Sequence, residues 1–308
     1  MHDIIIIGAG PAGLTAAIYA RRAGRSVLRI EKETFGGQIV LSPHVENYPF
    51  ARPMSGTELS DILVEQVMSL GADVEVDKVI GMSANADRTF TVKTEYGEHS
   101  ARAVIIATGL KHRRMGIENE ERFIGRGISF CAVCDGAFFK GKEVAVVGGG
   151  NTAVQDAIYL SKLAKKVYLI HRRNELRADK ILADRIKSSS VEILWDSVVV
   201  GLVADEKLTE IKVKNVKNDS LSAVSVDGLF VAVGQIPNTS FLENADEKPR
   251  LTDGGYIVSD EEMRTSIDGI FAAGDVREKS LRQIITACAD GAIAANSAIK
   301  YLQELRSV

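Results

Sequence analysis

The chain has 308 residues, of which 45% are hydrophobic and 26% are charged. This length and composition predict a folded, water-soluble protein of about two domains and exclude a disordered chain. Lys and Arg number 38 against 41 Asp and Glu, giving a net charge of -3, so no basic excess indicates a nucleic-acid partner. No apolar run reaches the ~18 residues of a membrane span, and no signal peptide is evident, so we expect no membrane partner and a cytoplasmic location.

The N-terminal residues predict a strand, a glycine turn, a helix and a second strand. The strand Asp3 to Ile7 runs into the turn Gly8-Ala9-Gly10-Pro11-Ala12-Gly13, followed by the helix Leu14 to Arg22 and the strand Ser26 to Ile30. This G-x-G-x-x-G spacing is typical of a dinucleotide site, in which phosphates bind the helix N-terminus. Glu31 follows the second strand, where an acid accepts hydrogen bonds from a ribose. Similar turns also serve ordinary strand-to-helix connections, so the turn alone leaves both interpretations open.

The same pattern returns in the middle of the chain. The strand Val144 to Val147 precedes the turn Gly148-Gly149-Gly150-Asn151-Thr152-Ala153, a helix to Leu163 and the strand Val167 to Ile170. His171 now stands where Glu31 stood, followed by Arg172, Arg173 and Arg177. Arg forms charge-assisted hydrogen bonds with phosphate oxygens, which a carboxylate would repel. The second turn therefore indicates NADP(H), and the alternative is a solvated basic surface.

The remaining segments complete two nucleotide-binding folds. Residues 72 to 103 alternate apolar and polar and predict a small antiparallel insertion. Three further predicted strands each end at a glycine: Ala103 to Ala107 before Thr108-Gly109, Leu229 to Val233 before Gly234, and Ile270 to Ala273 before Gly274-Asp275. The last predicted element is an alanine-rich helix, Arg282 to Leu305. We expect an α/β protein with two Rossmann-like domains, each with a small antiparallel β insertion. The first comprises 1–112 and 240–308, and the second, 113–239, is inserted between them.

Three cysteines occur, Cys131, Cys134 and Cys288, too few for a disulfide framework. The C-x-x-C pair has three interpretations: a zinc site, two inert buried cysteines, or a redox dithiol. Zinc usually needs four ligands, and the sequence offers no second C-x-x-C or paired histidines, so we expect no metal. A redox dithiol is favoured because two nucleotide sites supply a route for electrons. Asp135 is either a general acid and base or a cap of the following turn, and Cys288 is expected in the core.

Taken together, these motifs closely resemble low-molecular-weight, bacterial-type NADPH-dependent thioredoxin reductases, from Ile4 to about Tyr301. The resemblance rests on an ordered set of short motifs: G-A-G-P-A-G at 8–13, G-G-Q at 36–38, E-N-Y-P at 46–49, A-T-G at 107–109, C-A-V-C-D-G at 131–136, G-G-G-N-T-A at 148–153, H-R-R at 171–173 with Arg177, A-A-G-D at 272–275 and R-Q at 282–283.

The resemblance implies FAD in the discontinuous domain, NADPH in the inserted domain, and thioredoxin as the protein substrate. It also implies a homodimer formed through the FAD domains, and rotation of one domain against the other. The FAD-binding residues would be Gly8, Gly10, Pro11, Ala12, Gly13, Glu31, Lys32, Gly36, Gly37, Gln38, Asn47, Thr108, Gly109, Gly274, Asp275, Arg282, Gln283 and Ile284. The NADPH-binding residues would be Gly148, Gly150, Asn151, Thr152, Ala153, His171, Arg172, Arg173 and Arg177.

The resemblance further places Cys134 beside the flavin with Asp135 as proton donor, leaving Cys131 as the outward nucleophile. The rival functions are reduction of a peroxiredoxin system or another thioredoxin-like protein, electron supply from ferredoxin, reverse operation as a thiol oxidase, and a non-enzymatic FAD-binding scaffold. Two positions depart from the family pattern. Phe50, before Ala-Arg-Pro, and Ala289 each replace a common glycine, and we expect Ala289 to affect packing more than chemistry.

Overall fold

A computed structural model of the chain describes residues 1–42, 45–49 and 52–305. The departure at Phe50, with Ala51 after it, lies outside the described residues. The chain divides into two compact units, which we call unit 1 (Met1–Lys111 with Ile236–Val308) and unit 2 (His112–Gln235). The divisions fall close to the expected boundaries, one residue away at the first (111 against 112) and four at the second (235 against 239).

The described part of the chain contains both strands and helices, as expected for an α/β protein. The strands are β1 (His2–Ile7), β2 (Val27–Glu31), β3 (Asp73–Val76), β4 (Val79–Ala84), β5 (Phe90–Thr94), β6 (Glu98–Ile106), β7 (Leu110–His112), β8 (Ile128–Ser129), β9 (Glu143–Val147), β10 (Lys166–Ile170), β11 (Glu192–Leu194), β12 (Ser197–Ala204), β13 (Leu208–Asn215), β14 (Leu221–Ser225), β15 (Gly228–Val231), β16 (Gln235–Pro237) and β17 (Ile270–Ala272). The α-helices are α1 (Pro11–Arg22), α2 (Gly56–Ser69), α3 (Glu120–Phe123), α4 (Ala132–Asp135), α5 (Asn151–Leu160), α6 (Lys180–Lys187) and α7 (Ile284–Glu304).

Unit 1 is built on a seven-stranded sheet in the order β3-β2-β1-β6-β5-β4, with β17 paired to β6. The central strand β1 runs parallel to both β2 and β6. Its isoleucines alternate between two cores: Ile4 and Ile6 pack with the helices, and Ile5 and Ile7 pack on the opposite face. A strand buried on both faces explains the unbroken apolar run at the N-terminus.

The segment 72–103 contains the antiparallel strands that its alternation predicts, and its first strand, β3, is an exception. β3 pairs parallel with β2, because α2 lies between them in the chain and acts as a crossover helix. β4 and β5 are antiparallel, as expected, but β5 pairs with β6 and so extends the same sheet. A long β6 makes this possible, since it pairs with β5 through its first half and with β1 and β17 further along.

Unit 2 repeats the architecture on a smaller scale. Its five-stranded sheet has the order β11-β10-β9-β15-β8, with parallel pairs throughout. A separate antiparallel sheet, β12-β13-β14, is the predicted β insertion of this domain. The helix predicted to reach Leu163 ends at Leu160, because the N–H groups of Lys162 and Leu163 bond three residues back and tighten the chain into a turn.

The short strands β7 and β16 pair as a two-stranded sheet. No helix in the described ranges is long and apolar enough to cross a membrane. Among the same residues, no group of three or more His, Cys, Asp or Glu is arranged to hold a metal ion.

Candidate active site

The first glycine turn connects β1 to α1 through close backbone contacts. A Cβ atom at Gly8 would lie 2.4 Å from the carbonyl oxygen of Ala107, and one at Gly13 would lie 2.0 Å from that of Gly8. Gly10 is more open, since the nearest atom to a Cβ there is 3.9 Å away. Because Gly10 has no side chain to cap α1, the first N–H groups of the helix remain available. This geometry fits a phosphate at the helix N-terminus.

Glu31 ends β2 directly beside this turn. Its Oε2 accepts a hydrogen bond from the Ala9 N–H (2.8 Å), and its Oε1 accepts one from the Glu33 N–H (3.0 Å). Each carboxylate oxygen retains capacity for a further donor, as the predicted ribose contact requires. Lys32 is exposed and forms an ion pair with Glu33 at 2.7 Å.

The predicted loop at Gly36 to Gln38 lies against the same turn. The Gly36 N–H donates to the Ala9 carbonyl (2.7 Å), and Gly36 adopts a left-handed backbone with φ +93°. A Cβ at Gly37 would lie 3.3 Å from the Gly10 Cα. The Gln38 side-chain amide donates to the carbonyl of Leu110. The structure thus brings the two glycine motifs together.

The start of α7 joins this group through Asn47 and Gln283. The Asn47 amide donates to Gln283 Oε1 (3.0 Å), and Gln283 caps α7, which begins at Ile284. Arg282 lies with its guanidinium over the ring of Tyr256, 4.5 Å from the ring centroid. Its Nε is buried and has no hydrogen-bond partner among the described residues.

Asp275 contributes a second buried polar atom that can still form a hydrogen bond. The turn at Gly274 (φ +77°) follows β17 and reaches α1, where a Cβ at Gly274 would lie 2.8 Å from the Ala12 Cβ. Asp275 Oδ1 has no hydrogen-bond partner in the described part of the chain. Burial raises the pKa of Asp275, and Lys279 and Arg282 oppose that rise. The open glycine turn and the unpaired buried atoms of Asp275 and Arg282 fit the FAD that the sequence resemblance implies.

Thr108 and Gly109, at the end of β6, are held by a residue that the sequence did not indicate. The Thr108 hydroxyl donates to the Asn238 carbonyl (2.8 Å), and the Asn238 side-chain amide donates to the Thr108 carbonyl (2.9 Å). The Asn238 N–H also donates to the Gly109 carbonyl (3.0 Å). All three contacts lie within unit 1.

The second glycine turn, between β9 and α5, reproduces the first. A Cβ at Gly148 would lie 2.5 Å from the Ala232 carbonyl oxygen, whereas one at Gly150 meets no described atom within 4 Å. Asn151 starts α5, and its side chain exchanges two hydrogen bonds of 2.8 Å with Asp179. Thr152 is exposed and Ala153 is buried. The N-terminus of α5 is therefore also available for a phosphate.

His171 lies beneath this turn, with 5% of its surface exposed. A Cβ at Gly149 would lie 2.1 Å from the His171 ring, and ring Nε2 is 2.9 Å from the Glu175 carbonyl oxygen. Burial lowers the pKa of His171, which keeps the imidazole neutral near pH 7. In this position the ring supports the turn, and a contact between His171 and the cofactor stays a prediction.

The three arginines that follow lie at the surface. Arg172, Arg173 and Arg177 are exposed, and none forms an ion pair with another described residue. The Arg177 N–H donates to the Gly149 carbonyl (2.7 Å), so this loop is attached directly to the second turn. Three unpaired cations beside an open glycine turn fit the 2′-phosphate of NADPH.

Cys131 and Cys134 form a disulfide, with Cα atoms 5.3 Å apart. They flank the start of α4, and the Cys134 N–H donates to Cys131 Sγ at 3.2 Å. Both cysteines are partly exposed, and Val133 between them is 56% exposed. The pair is thus a disulfide that a partner can reach, not a zinc site or two separate buried thiols.

A serine missed by the sequence analysis links this disulfide to Asp135. The buried Ser129 hydroxyl donates to Asp135 Oδ2 (2.6 Å) and accepts from the Cys131 N–H (3.1 Å). The Asp135 carboxylate is therefore held beside the dithiol segment. A polar residue two positions before the first cysteine was the available signal, but hydroxyl residues are too common to interpret without a structure.

Cys288 is buried, as expected, and accepts a hydrogen bond from the Tyr48 hydroxyl at 3.8 Å. Burial, with Cys288 beside it, raises the pKa of Tyr48 to about 12. Ala289 lies on the exposed face of α7. The departure at Ala289 therefore lies on the helix surface, and its expected effect on packing more than on chemistry stays a prediction.

Comparison with known proteins agrees with this geometry. Residues 2–291 match the family described as pyridine nucleotide-disulphide oxidoreductase. The thioredoxin reductase of Listeria monocytogenes is 47% identical over 312 residues, covering 99% of this chain and 95% of that protein. The thioredoxin reductase of Treponema pallidum is 42% identical over 308 residues, covering 99% of both. The crystal structure of thioredoxin reductase from Streptococcus pyogenes superimposes with a TM-score of 0.94 at 43% identity, covering 99% of each chain.

Two open nucleotide turns, a reachable disulfide and similarity over nearly the full chain lead to one assignment. The chain belongs to the pyridine nucleotide-disulphide oxidoreductase family, as an FAD- and NADPH-dependent oxidoreductase that acts on a sulfur group.

Proposed function

We propose that this chain is a thioredoxin-disulfide reductase, which passes electrons from NADPH through FAD and the Cys131–Cys134 dithiol to the disulfide of thioredoxin. The observation that carries the proposal is the partly exposed Cys131–Cys134 disulfide, held next to Asp135 in a chain with two open nucleotide turns. When bound, the two cofactors supply a hydride and a flavin that reduces the disulfide by two electrons.

FAD belongs to unit 1 in this proposal. The N-terminus of α1 binds its pyrophosphate, Glu31 accepts from a ribose hydroxyl, and the unpaired Asp275 Oδ1 accepts from the same ligand. The loop at Gly36 to Gln38 and the start of α7 at Gln283 lie near the flavin.

NADPH belongs to unit 2. The N-terminus of α5 binds its pyrophosphate, and Arg172, Arg173 and Arg177 bind the 2′-phosphate. Support comes from the missing acid at the end of β10, where the buried, neutral His171 stands. A ribose-binding carboxylate there would repel the phosphate.

The dithiol carries out the exchange with thioredoxin. The Cys131 thiol gives its proton to the solvent, and its thiolate attacks one sulfur of the partner's disulfide. That disulfide bond breaks, and the sulfur that leaves takes up a proton from the solvent. Asp135 takes the proton from the Cys134 thiol, whose thiolate then attacks Cys131 Sγ. The Cys131–Cys134 bond forms again, and the partner's second sulfur leaves and takes the proton from Asp135. Two electrons and two protons have then passed to the partner.

A homodimer formed through the FAD domains, in the cytoplasm, completes the proposal. Several large apolar side chains of unit 1 are about half exposed, which favours coverage by a second copy: Tyr19, Ile62 and Met68. A chain with one reducible pair and a free, buried Cys288 is compatible with a reducing compartment.

The test is to titrate the purified protein with NADPH without oxygen and then add oxidised thioredoxin. We expect one FAD per chain, loss of the visible flavin absorbance on adding NADPH, and its recovery on adding thioredoxin. A colourless, folded protein that takes up no FAD contradicts the flavoenzyme. Bleaching without recovery contradicts thioredoxin as the substrate.

Single cysteine variants assign the two sulfurs. Cys134→Ser keeps the outward Cys131 and should trap, on a nonreducing gel, a thioredoxin that lacks its own resolving cysteine. Cys131→Ser should lose this covalent complex while leaving Cys134 able to perturb the flavin absorbance. Trapping that survives only when Cys134 is kept would reverse the two roles.

A further inference from the structure

A buried cluster of charged side chains lies between the turn after β17 and the first half of α7. Its members are Arg277, Lys279 and Asp290, whose side chains are 13%, 9% and 9% exposed. None of them belongs to a motif that the sequence analysis singled out, and the proposed reaction does not use them.

Asp290 is the centre of this cluster. Its Oδ2 accepts from Lys279 Nζ (2.8 Å) and from the backbone N–H of Gly274 (3.1 Å), and its Oδ1 accepts from Arg277 Nη1 (3.3 Å). Arg277 is fixed in turn, since its Nε donates to Ser259 Oγ (2.8 Å). The Asp290 carboxylate therefore binds α7 to the Gly274 turn.

The same place is where two segments meet the N-terminus of α1. A Cβ at Gly274 would lie 2.8 Å from the Ala12 Cβ, and one at Gly291 would lie 2.1 Å from the Ala12 carbonyl oxygen. Gly291 directly follows Asp290 in α7. Asp290 thus joins, by one hydrogen bond, the two segments that contact the first glycine turn.

The charges in this place favour an anion. Arg277, Lys279 and Arg282 carry three positive charges here against the two carboxylates of Asp275 and Asp290, so this place has an excess of one positive charge. The Gly274 N–H that donates to Asp290 directly precedes Asp275 in the chain, so the cluster lies next to the residue whose Oδ1 lacks a partner among the described residues.

Burial of these charges needs a reason other than stability. Removing charged groups from water is expensive, and apolar side chains of similar volume stabilise a core equally well or better. A ligand with negative charge, bound next to the cluster, supplies that reason. The FAD pyrophosphate carries such charge.

We propose that Asp290 and Lys279 form a positioning pair for FAD, which fixes the Gly274–Asp275 turn against the first glycine turn. The inference rests on the proposed function, because it requires FAD in unit 1. The pair acts through the turn and is not catalytic.

The experiment measures the dissociation constant of FAD from the apoprotein by flavin fluorescence. Asp290→Asn and Lys279→Met should each raise this constant at least tenfold, because each removes a buried hydrogen bond between charged groups. The double variant should bind no more weakly than the weaker single variant, since the two residues act as a unit. Lys279→Arg keeps the charge and should stay within threefold of the wild type.

Two exposed positions of α7 provide matched controls, Glu304→Gln and Lys300→Met, and both should bind FAD within twofold of the wild type. The inference is overturned if Asp290→Asn and Lys279→Met also bind within twofold, or if Lys279→Arg loses as much affinity as Lys279→Met. Should Asp290→Asn give no folded apoprotein, the two Lys279 variants decide. A wild-type apoprotein that takes up no FAD overturns the proposed function instead, which is a distinguishable result.

Discussion

Ser129 links the backbone of Cys131 to Asp135, the predicted proton donor, by hydrogen bonds. Its hydroxyl contributes one hydrogen bond to the Asp135 carboxylate and receives one from the Cys131 N–H. The Ser129 hydroxyl has one proton and donates it in the hydrogen bond to Asp135 Oδ2. When Asp135 is protonated, its proton is therefore on Oδ1. Ser129 thereby sets the orientation of the acid.

We expect Ser129→Ala to slow thioredoxin reduction about tenfold or more, since a hydrogen bond to a charged group contributes ~1.5–3 kcal/mol. The carboxylate loses a donor that stabilises its ionised form, so the acidic limb of the pH–rate profile should move to higher pH. Steady-state turnover with NADPH, measured across pH, checks both effects.

Ser129→Thr keeps the hydroxyl and should recover most of the rate. Ser161→Ala is a matched control, because that hydroxyl donates to the Ile158 carbonyl in α5, and it should leave the profile unchanged. An unshifted profile in Ser129→Ala would show that the serine has no influence on the proton donor.

Arg172 gives a second prediction at the scale of the residue. It is exposed and has no acidic partner among the described residues, so its charge is available for the 2′-phosphate. Arg172→Ala should weaken NADPH by roughly ten- to a hundred-fold and leave NADH nearly unchanged. The ratio of kcat/KM for the two cofactors measures this.

Arg185→Ala, which removes a positive charge from α6 in the same unit, should leave that ratio unchanged. Equal losses for NADPH and NADH in Arg172→Ala would mean that the arginine acts on the fold of the loop.

Residues in short, local motifs could be predicted from the sequence, and those that act through distant contacts could not. Gly13 is required by a contact with Gly8 in the same turn, and Gly8 by its left-handed backbone with φ +108°, so their spacing alone reveals them. Asn238 contacts Thr108 across 130 positions, and no local pattern marks it. His171 occupies the predicted register, but only the structure shows that its ring is buried below Gly149.

Among the elements, periodicity predicts the buried strands and the helices that follow a glycine turn. β1 agrees with expectation because its apolar residues fix it locally, whereas α1 begins at Pro11, three residues before the predicted Leu14, because proline is favoured in the first turn of a helix. The partner of β3 and the end of α5 could not be predicted. The partner of β3 depends on the crossover helix α2. The end of α5 depends on a tightened last turn, which the composition of the segment does not indicate.

Gly291 shows how packing can override helix propensity. In an isolated helix Ala is favoured over Gly by about 1 kcal/mol, yet a Cβ at Gly291 would lie 2.1 Å from a backbone oxygen of α1. Gly291→Ala should therefore lower the melting temperature and weaken FAD binding, because α7 must move away from Ala12.

The matched control is Ala289→Gly, on the exposed face of the same helix. It should cost only the propensity difference of about 1 kcal/mol and leave FAD affinity intact. A Gly291→Ala protein as stable as the wild type would show that α7 and α1 can separate without loss.

At the scale of the whole molecule, one strand-turn-helix plan occurs twice, and the two copies differ where their ligands differ. The first ends β2 with Glu31, and the second ends β10 before His171 and the exposed arginines. This repetition made the division into two nucleotide units predictable. The oligomeric state is harder to predict from sequence, since exposed apolar side chains are also common on monomers.

The surface of α7 carries the prediction for assembly. Ile285, Ala289 and Ile293 follow each other at intervals of four residues on its exposed side, and the two isoleucines are 42% and 39% exposed. Such an apolar stripe on unit 1 fits coverage by a second copy of the chain. Light scattering should give about twice the 33.3 kDa mass of one chain. Ile293→Asp should shift the population toward the monomer, because dimerisation would bury an unpaired carboxylate.

Ile181→Asp is the control, since Ile181 is 80% exposed on α6 of unit 2, and it should leave the mass unchanged. A monomeric wild type would contradict the homodimer, whereas a dimer that Ile293→Asp does not weaken would place the interface away from this stripe.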